Sequence, residues 1–286
     1  MKKGIIASLI IISIAVVVVL KVSAQQDYTN HQTFDAKQIE VLEINNESWN
    51  VELVGATSKK LSIAIDGKQQ KKQNAPVEIQ KDGNKISIHQ FDTDDGVLKN
   101  ISIGKKGTIQ ISIPPNTLHK IELNNSYGDI RINTITAQEI SILNNSGTKI
   151  IKGLSAERGK ITSQDGELKI TDSACKELTI AAANGDSYIT SVSSPQMNIT
   201  SMSGEIVLNE MNEEKALFVE SGSGDITMSY SKAPQSLELI AKSESSDITI
   251  NLKDIKKVKG DSTKWKIGEA TNRVEAISKE GVISIN

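Results

Sequence analysis

The sequence predicts an all-β chain, a β-helix or β-solenoid with coils of about 19 residues, preceded by one N-terminal transmembrane helix. Three observations carry that expectation. Glycines recur at 128, 147, 166, 185, 204 and 224, four steps of 19 residues and one of 20. Apolar and polar residues alternate on both sides of each glycine, the period of a strand with one buried face. An apolar run from Gly4 to Leu20, broken only by Ser8 and Ser13, opens the chain.

Residues 1–24 form a membrane anchor or a signal segment. At 1.5 Å per residue the apolar run spans roughly 25 Å, enough to cross a bilayer as a helix, and longer than most cleaved signals carry. Val22-Ser23-Ala24 nevertheless offers a cleavage site of small residues before Gln25. An uncleaved single-pass anchor and a secreted product cut near Ala24 both stand. In either case Lys2 and Lys3 stay cytoplasmic and the rest of the chain goes outside. No cysteine follows the run, which excludes a lipoprotein.

Residues 25–36 read as a short polar stem, and 37–120 as an irregular β lead-in. Alternation appears in EVLEINNESWNVEL (40–53), KLSIAI (60–65) and VEIQKDGNKISI (77–88), the last with an Asp82-Gly83 turn. GTIQISIPPN (107–116) reads as a strand stopped by Pro114 and Pro115.

Residues 121–286 hold the regular repeats, among them IELNNSYGDIRI (121–132), MNITSMSGEIVL (197–208) and LFVESGSGDITM (217–228). LIAKSESSDITI (239–250) puts Ser246 where glycine stood, and VEAISKEGVISI (274–285) reads as a C-terminal capping coil. A third apolar spot at Ile135, Leu154, Val192 and Met211 predicts a three-sided coil. Lys149, Ser187 and Ser246 depart from the pattern and predict bulged or looser coils. Residues 253–273 break the period as a loop or strand insertion. One coil cannot bury its own apolar face, whereas stacked coils share a core.

SGSGDITMS (221–229) looks like a site but fits none: no lysine follows Gly224 for a phosphate loop. The third glycine of a dinucleotide fingerprint is missing, as is the spacing of a calcium-binding β-helix repeat. Gly128, Gly147, Gly166, Gly185, Gly204 and Gly224 are therefore structural corners, with Ser, Asn and Asp beside them to bond backbone groups.

Composition excludes several functions. A net charge of −2 and a pI near 6.0 do not mark a nucleic-acid binder. Aromatic residues make up 3%, too few for extended stacking platforms. A lone Cys175 forms no internal disulfide or cysteine zinc cluster and reads as packing. His31, His89 and His119 follow no metal-ligand spacing, and Trp49 and Trp265 read as caps at opposite ends. No catalytic residue and no cofactor is expected.

Two groups have a functional reading beside a plain one. Asp129, Glu167, Asp186, Glu205, Asp225 and Asp247 follow the corners in one column, with Thr148 and Val282 in the other two places. Stacked like charges about 4.8 Å apart repel, and weak calcium binding is one relief; the plain reading is turn carboxylates bonded to backbone. Lys253, Lys256, Lys257, Lys259, Lys264 and Lys266 cluster in the insertion, and Lys59, Lys60, Lys68, Lys71 and Lys72 upstream. They offer contact with anionic lipid or anionic wall polymer; the plain reading is solvated loops.

The Ser-Gly-Asp-Ile units, the ISIPPNT lead-in and the WKIG…VEAISKEGVISI ending resemble the bacterial putative-adhesin family over roughly 40–286. Its anchor-plus-ectodomain layout is similar to LiaG-like proteins of Gram-positive bacteria. The resemblance implies a β-solenoid outside the membrane, association with envelope stress, no established enzyme activity and no agreed ligand. The expected function is an extracytoplasmic, membrane-tethered binding or scaffold module of the bacterial cell envelope. Its expected partners are the membrane itself and wall polymer, anionic lipid or an envelope membrane protein. An accessory regulator or sensor of envelope stress is the alternative, and a carbohydrate-active β-helix enzyme a minor one.

Overall fold

The computed structural model describes residues 25–70, 75–91 and 107–286. The expected transmembrane helix in residues 1–24 lies outside the described residues, as do Lys71 and Lys72. Among the described residues no helix is long and apolar enough to cross a membrane.

The N-terminal region contributes strands β1 (Gln25–Asp35), β2 (Val41–Asn46), β3 (Asn50–Gly55), β4 (Lys60–Gln70), β5 (Val77–Asp82), β6 (Lys85–Gln90) and β7 (Gly107–Ile113). The regular coils follow as β8 (Leu118–Asn125) with β9 (Ile130–Asn133), β10 (Thr136–Asn144) with β11 (Lys149–Lys152), and β12 (Ser155–Ser163) with β13 (Leu168–Thr171). They continue as β14 (Ala174–Ala182) with β15 (Ser187–Thr190), β16 (Gln196–Ser201) with β17 (Ile206–Met211), and β18 (Ala216–Ser221) with β19 (Ile226–Tyr230). The chain ends with β20 (Leu237–Ser243), β21 (Ile248–Ile250), β22 (Lys256–Lys257), β23 (Lys264–Ile267), β24 (Asn272–Ser278) and β25 (Ile283–Ile285).

Each regular coil gives one strand to each of two sheets, and equivalent strands pair in parallel. Among the described residues the first sheet has 12 strands in the order β1-β4-β7-β3-β9-β11-β13-β15-β17-β19-β25-β21. The second has 13, in the order β22-β23-β20-β24-β18-β16-β14-β12-β10-β8-β2-β6-β5. Inward residues such as Ile130, Ile132, Ile206 and Leu208 are fully buried and stack from coil to coil in one continuous core. Each buried isoleucine stabilises by roughly 1.5–3 kcal/mol, which is how strands of four residues hold together.

Several expectations need correction. Three sides were expected, but there are two extended sheets. The third apolar residues, Ile135, Leu154 and Val192, are buried at a short turn leading into the next second-sheet strand. That turn uses left-handed backbone at Thr134, Gly153, Asp172, Ser191 and Glu210 (φ 50–66°), five residue types in one column, hence no composition signal. In place of a stem at 25–36, β1 pairs antiparallel with β4 along its whole length, and Asp35 caps the short helical turn Ala36–Gln38. Lys149 and Ser187 lie in regularly paired strands rather than bulges; the register shift is between Leu208 and Met211.

The largest difference is topological. The segment expected to cap the C-terminus, β24–β25, lies between the β18–β19 coil and the β20–β21 coil. The cap is β20–β21 with the β22–β23 hairpin folded antiparallel onto β20. The N-terminal end has the same arrangement: the β2–β3 coil sits between β6–β7 and β8–β9.

Candidate functional site

The corners come first, because they absorb most of the residues that look like chemistry. Gly204 has φ +110°, and a Cβ there would stand 2.4 Å from the carbonyl oxygen of Gly185. Gly224 has ordinary φ, yet a Cβ would lie 1.8 Å from the oxygen of Gly204. Close stacking of one corner on the next therefore excludes side chains, beyond any need for positive φ. Three residues before each corner runs a second buried column that sequence reading did not single out, polar at every place but Ala182: Asn46, ahead of Trp49, then Asn125, Asn144, Ser163, Ala182, Ser201, Ser221 and Ser278, each ahead of a glycine. Asn125 Nδ2 donates to Gly128 O (2.6 Å) and to Asn144 Oδ1 (2.5 Å), and Gly281 N donates to Ser278 Oγ (2.8 Å). Asn or Ser at that fixed offset was the available signal.

Lys149 stands in the core where this ladder changes from Asn to Ser. It is fully buried, and its Nζ donates to Ser163 Oγ (2.5 Å), Asp165 O (2.8 Å) and Gly166 O (3.0 Å). Burial brings its pKa down to about 8, against an opposing pull from Asp165. The ammonium supplies donors that a serine side chain cannot. Ser246 sits in the outermost coil and donates to Glu280 O at 2.5 Å.

Three of the six carboxylates in the acidic column are spent on the backbone. Asp129 Oδ1 accepts from Thr148 N (3.0 Å), Asp186 Oδ1 from Glu205 N (2.9 Å) and Asp225 Oδ1 from Val282 N (2.8 Å). Each caps the next coil. Glu167 pairs with Lys169 (2.5 Å). Among the described residues no group of three or more His, Cys, Asp or Glu side chains is placed to hold a metal ion. Cys175 is buried with its thiol pushed up to about 11, which makes it inert packing at neutral pH. His31 and His119 are exposed, and His89 stacks on Phe91 at 6.3 Å. Trp49 is buried beneath Gly107, while Trp265 half-covers the core at the opposite end.

The C-terminal lysines do come together. Residues 253–267 carry six lysines against Asp254 and Asp261, a net +4 in a chain of net −2. Within the hairpin Lys256 lies directly opposite Lys266, and Lys257 Nζ stands 5.2 Å from the Trp265 ring centre. Lys264 pairs with Glu238 (2.7 Å), whose carboxyl is held low by that lysine, with help from Arg273 and Lys266. Upstream, Lys68 is engaged by Asp27.

On the outer face of the second sheet a groove of about 310 Å³ lies beside this hairpin. Thr179, Gln196, Asn198, Ala216, Phe218 and Arg273 line it, together with Glu177 and with Glu275, which pairs with Arg273 (2.9 Å). They come from β14, β16, β18 and β24, and the out-of-order position of β24 brings Arg273 beside Ala216. No sequence signal joins residues so far apart, and the groove was missed.

Two mainly parallel sheets, glycine corners and polar outer faces define a β-solenoid. The chain belongs to the Toastrack DUF4097 family, whose model matches residues 39–286. Among solved structures it is similar to a putative adhesin from Bacteroides fragilis, at 16% identity and TM-score 0.54, covering 90% of this chain and 96% of that one. It is also similar to a putative lipid binding protein from Parabacteroides distasonis, at 12% identity and TM-score 0.51, covering 90% and 97%. These likenesses show the fold. No curated protein matches the chain.

Proposed function

We propose that this chain is a non-catalytic binding and scaffold module of the bacterial cell envelope, held at the membrane by residues 1–24 and displayed outside. The observation that carries the reading is the placement of the two ends. Strand β1, which follows the apolar segment directly, is at one end of the first sheet, and the basic hairpin caps the opposite end of the solenoid. Eleven strand intervals separate β1 from β21, about 50 Å at 4.8 Å each. An anchored chain presents its basic cap away from its own attachment point. The adhesin and lipid-binding descriptions of the structural relatives agree with a binding role.

Cell fractionation of the full-length chain tests this. The expected result is a membrane pellet, with the solenoid accessible to protease added outside spheroplasts and a soluble product when residues 2–24 are deleted. Full-length protein in the cytosol, shielded from that protease, overturns the reading.

A further inference from the structure

We propose that the outer face of the second sheet, from the Phe218 groove to the Lys256–Lys266 pair, is a binding track for an acidic glycan. This names the ligand class of the module proposed above and rests on that reading.

Register draws the track. Gln196, Ala216, Arg273, Glu238, Lys266 and Lys256 are successive cross-strand neighbours on β16, β18, β24, β20, β23 and β22. Five intervals of about 4.8 Å make a line of roughly 24 Å along the solenoid axis.

At the groove end several polar side chains are left free for a ligand. Three outward pairs on the same sheet bond each other instead: Arg158 with Glu139, Lys176 with Glu157 (2.6 Å) and Asn124 with Asn45 (2.8 Å). Thr179, Gln196 and Asn198 are exposed, and their side chains form no hydrogen bond among the described residues. They surround the half-buried Phe218 ring, and the small side chain of Ala216 leaves the depression between Gln196 and Arg273. An aromatic face flanked by free amides and a hydroxyl matches a sugar, which has an apolar C–H face and a rim of hydroxyls. One ring seats one sugar residue, consistent with the low aromatic content.

At the hairpin end two like charges face each other. Lys256 and Lys266 are direct cross-strand partners, an unfavourable arrangement in water, and neither forms an ion pair among the described residues. An acidic group between them converts repulsion into two charge-assisted hydrogen bonds. Between the two ends, Glu238 is already engaged by Lys264 (2.7 Å) and Arg273 (3.8 Å). A bilayer fits this face less well. Ile248, Ile250, Ile255 and Trp265 pack against the core, so the cap has no apolar wedge to insert among lipids.

Titration calorimetry of the full-length chain, exchanged from detergent into amphipol so that no free detergent remains, decides the matter, using polygalacturonate as the acidic probe, dextran as the neutral one, and phosphatidylglycerol vesicles. Polygalacturonate should bind at least about tenfold more tightly than dextran, with affinity falling as salt rises. Lys256→Gln with Lys266→Gln should lose about tenfold and flatten the salt dependence. Phe218→Ala should lose about fivefold or more, and Phe218→Tyr, which keeps the ring, should retain binding. Unchanged affinity in Phe218→Ala overturns the groove. Vesicle binding that needs the two lysines but not Phe218, without polygalacturonate binding, overturns the glycan in favour of lipid. Protein that fractionates to the envelope yet binds no polygalacturonate drops this inference and keeps the envelope reading; binding by a cytosolic protein fails the envelope reading instead.

Discussion

In the middle of the solenoid, order along the chain and order in space are the same; at its two ends they are not. From β8 to β19 each coil stacks on the one before it. At the ends, β2–β3 and β24–β25 are each inserted between two coils that follow one another in the chain, β6–β7 with β8–β9 and β18–β19 with β20–β21. The middle is therefore modular, because any coil presents the same corner and core to the next. The C-terminal end is closed. The last isoleucines, Ile283 and Ile285, are fully buried, and the outermost C-terminal strands are only three and two residues long. Short edges leave little ladder for another chain to extend.

Two deletions break this comparison most directly. Removing residues 178–196 takes out one period, after which strands on either side still meet equivalent partners; a shorter, cooperatively folded protein is expected. Removing 272–286 takes the coil on which β20 and β21 depend, so residues 231–271 should lose structure. Hydrogen exchange and limited proteolysis read the difference. Equal damage from both deletions refutes the modular middle. Among single changes, Ile206→Asp buries an unpaired charge in a middle coil and should cost more than about 4 kcal/mol in urea unfolding. Ile250→Asp, in the half-buried end coil, should cost less than half as much.

Corner glycines sharpen the contrast at a smaller scale. Gly204→Ala meets both a φ of +110° and the Gly185 carbonyl, and should destabilise by roughly 2–4 kcal/mol. Gly83→Ala, in the exposed β5–β6 hairpin with φ +56° and nothing within 4 Å, should cost only about 1 kcal/mol. Similar costs at both positions mean that coil-to-coil contact is not what reserves the corners for glycine.

The middle was legible in the sequence because its constraints repeat. Glycine at a fixed step and alternation around it placed the corners, the buried columns and the coil length. The ends were not legible, because nothing local says which edge a strand will join: VEAISKEGVISI looks like any other coil, and its insertion depends on the 253–267 hairpin reversing the chain. Gln25–Asp35 is too polar to signal a strand, yet it pairs through its backbone with β4. The basic cluster was visible as composition; the Phe218 groove was not, since it arises from that same insertion.

Lys149 tests the interior polar ladder by pH. Its pKa is about 8 folded, against 10.5 for an ordinary lysine, so the unfolded chain holds more protons between those values. Stability should therefore rise as pH increases through that window, by up to about 3 kcal/mol from this group, and show no such gain from it below pH 8. Lys149→Met removes the titration, and the difference between the two proteins' urea midpoints at pH 7 and pH 10 is the readout. A constant difference means that the buried ammonium is not strained.

The smallest effect is the sharpest test of what the acidic column is for. Asp186 lies between two coils, and its carboxylate accepts from Glu205 N at 2.9 Å; Asp247 occupies the same column in the outermost coil, where no further coil follows. If the column exists to cap the next coil, Asp186→Ala should cost about 1 kcal/mol and Asp247→Ala nearly nothing. If it exists to bind a cation, the two positions should differ little without calcium, and millimolar calcium should raise the melting temperature of the parent more than that of either variant. The geometry favours capping, because Oδ1 of Asp129, Asp186 and Asp225 already accepts from an N–H of the next coil at 2.8–3.0 Å.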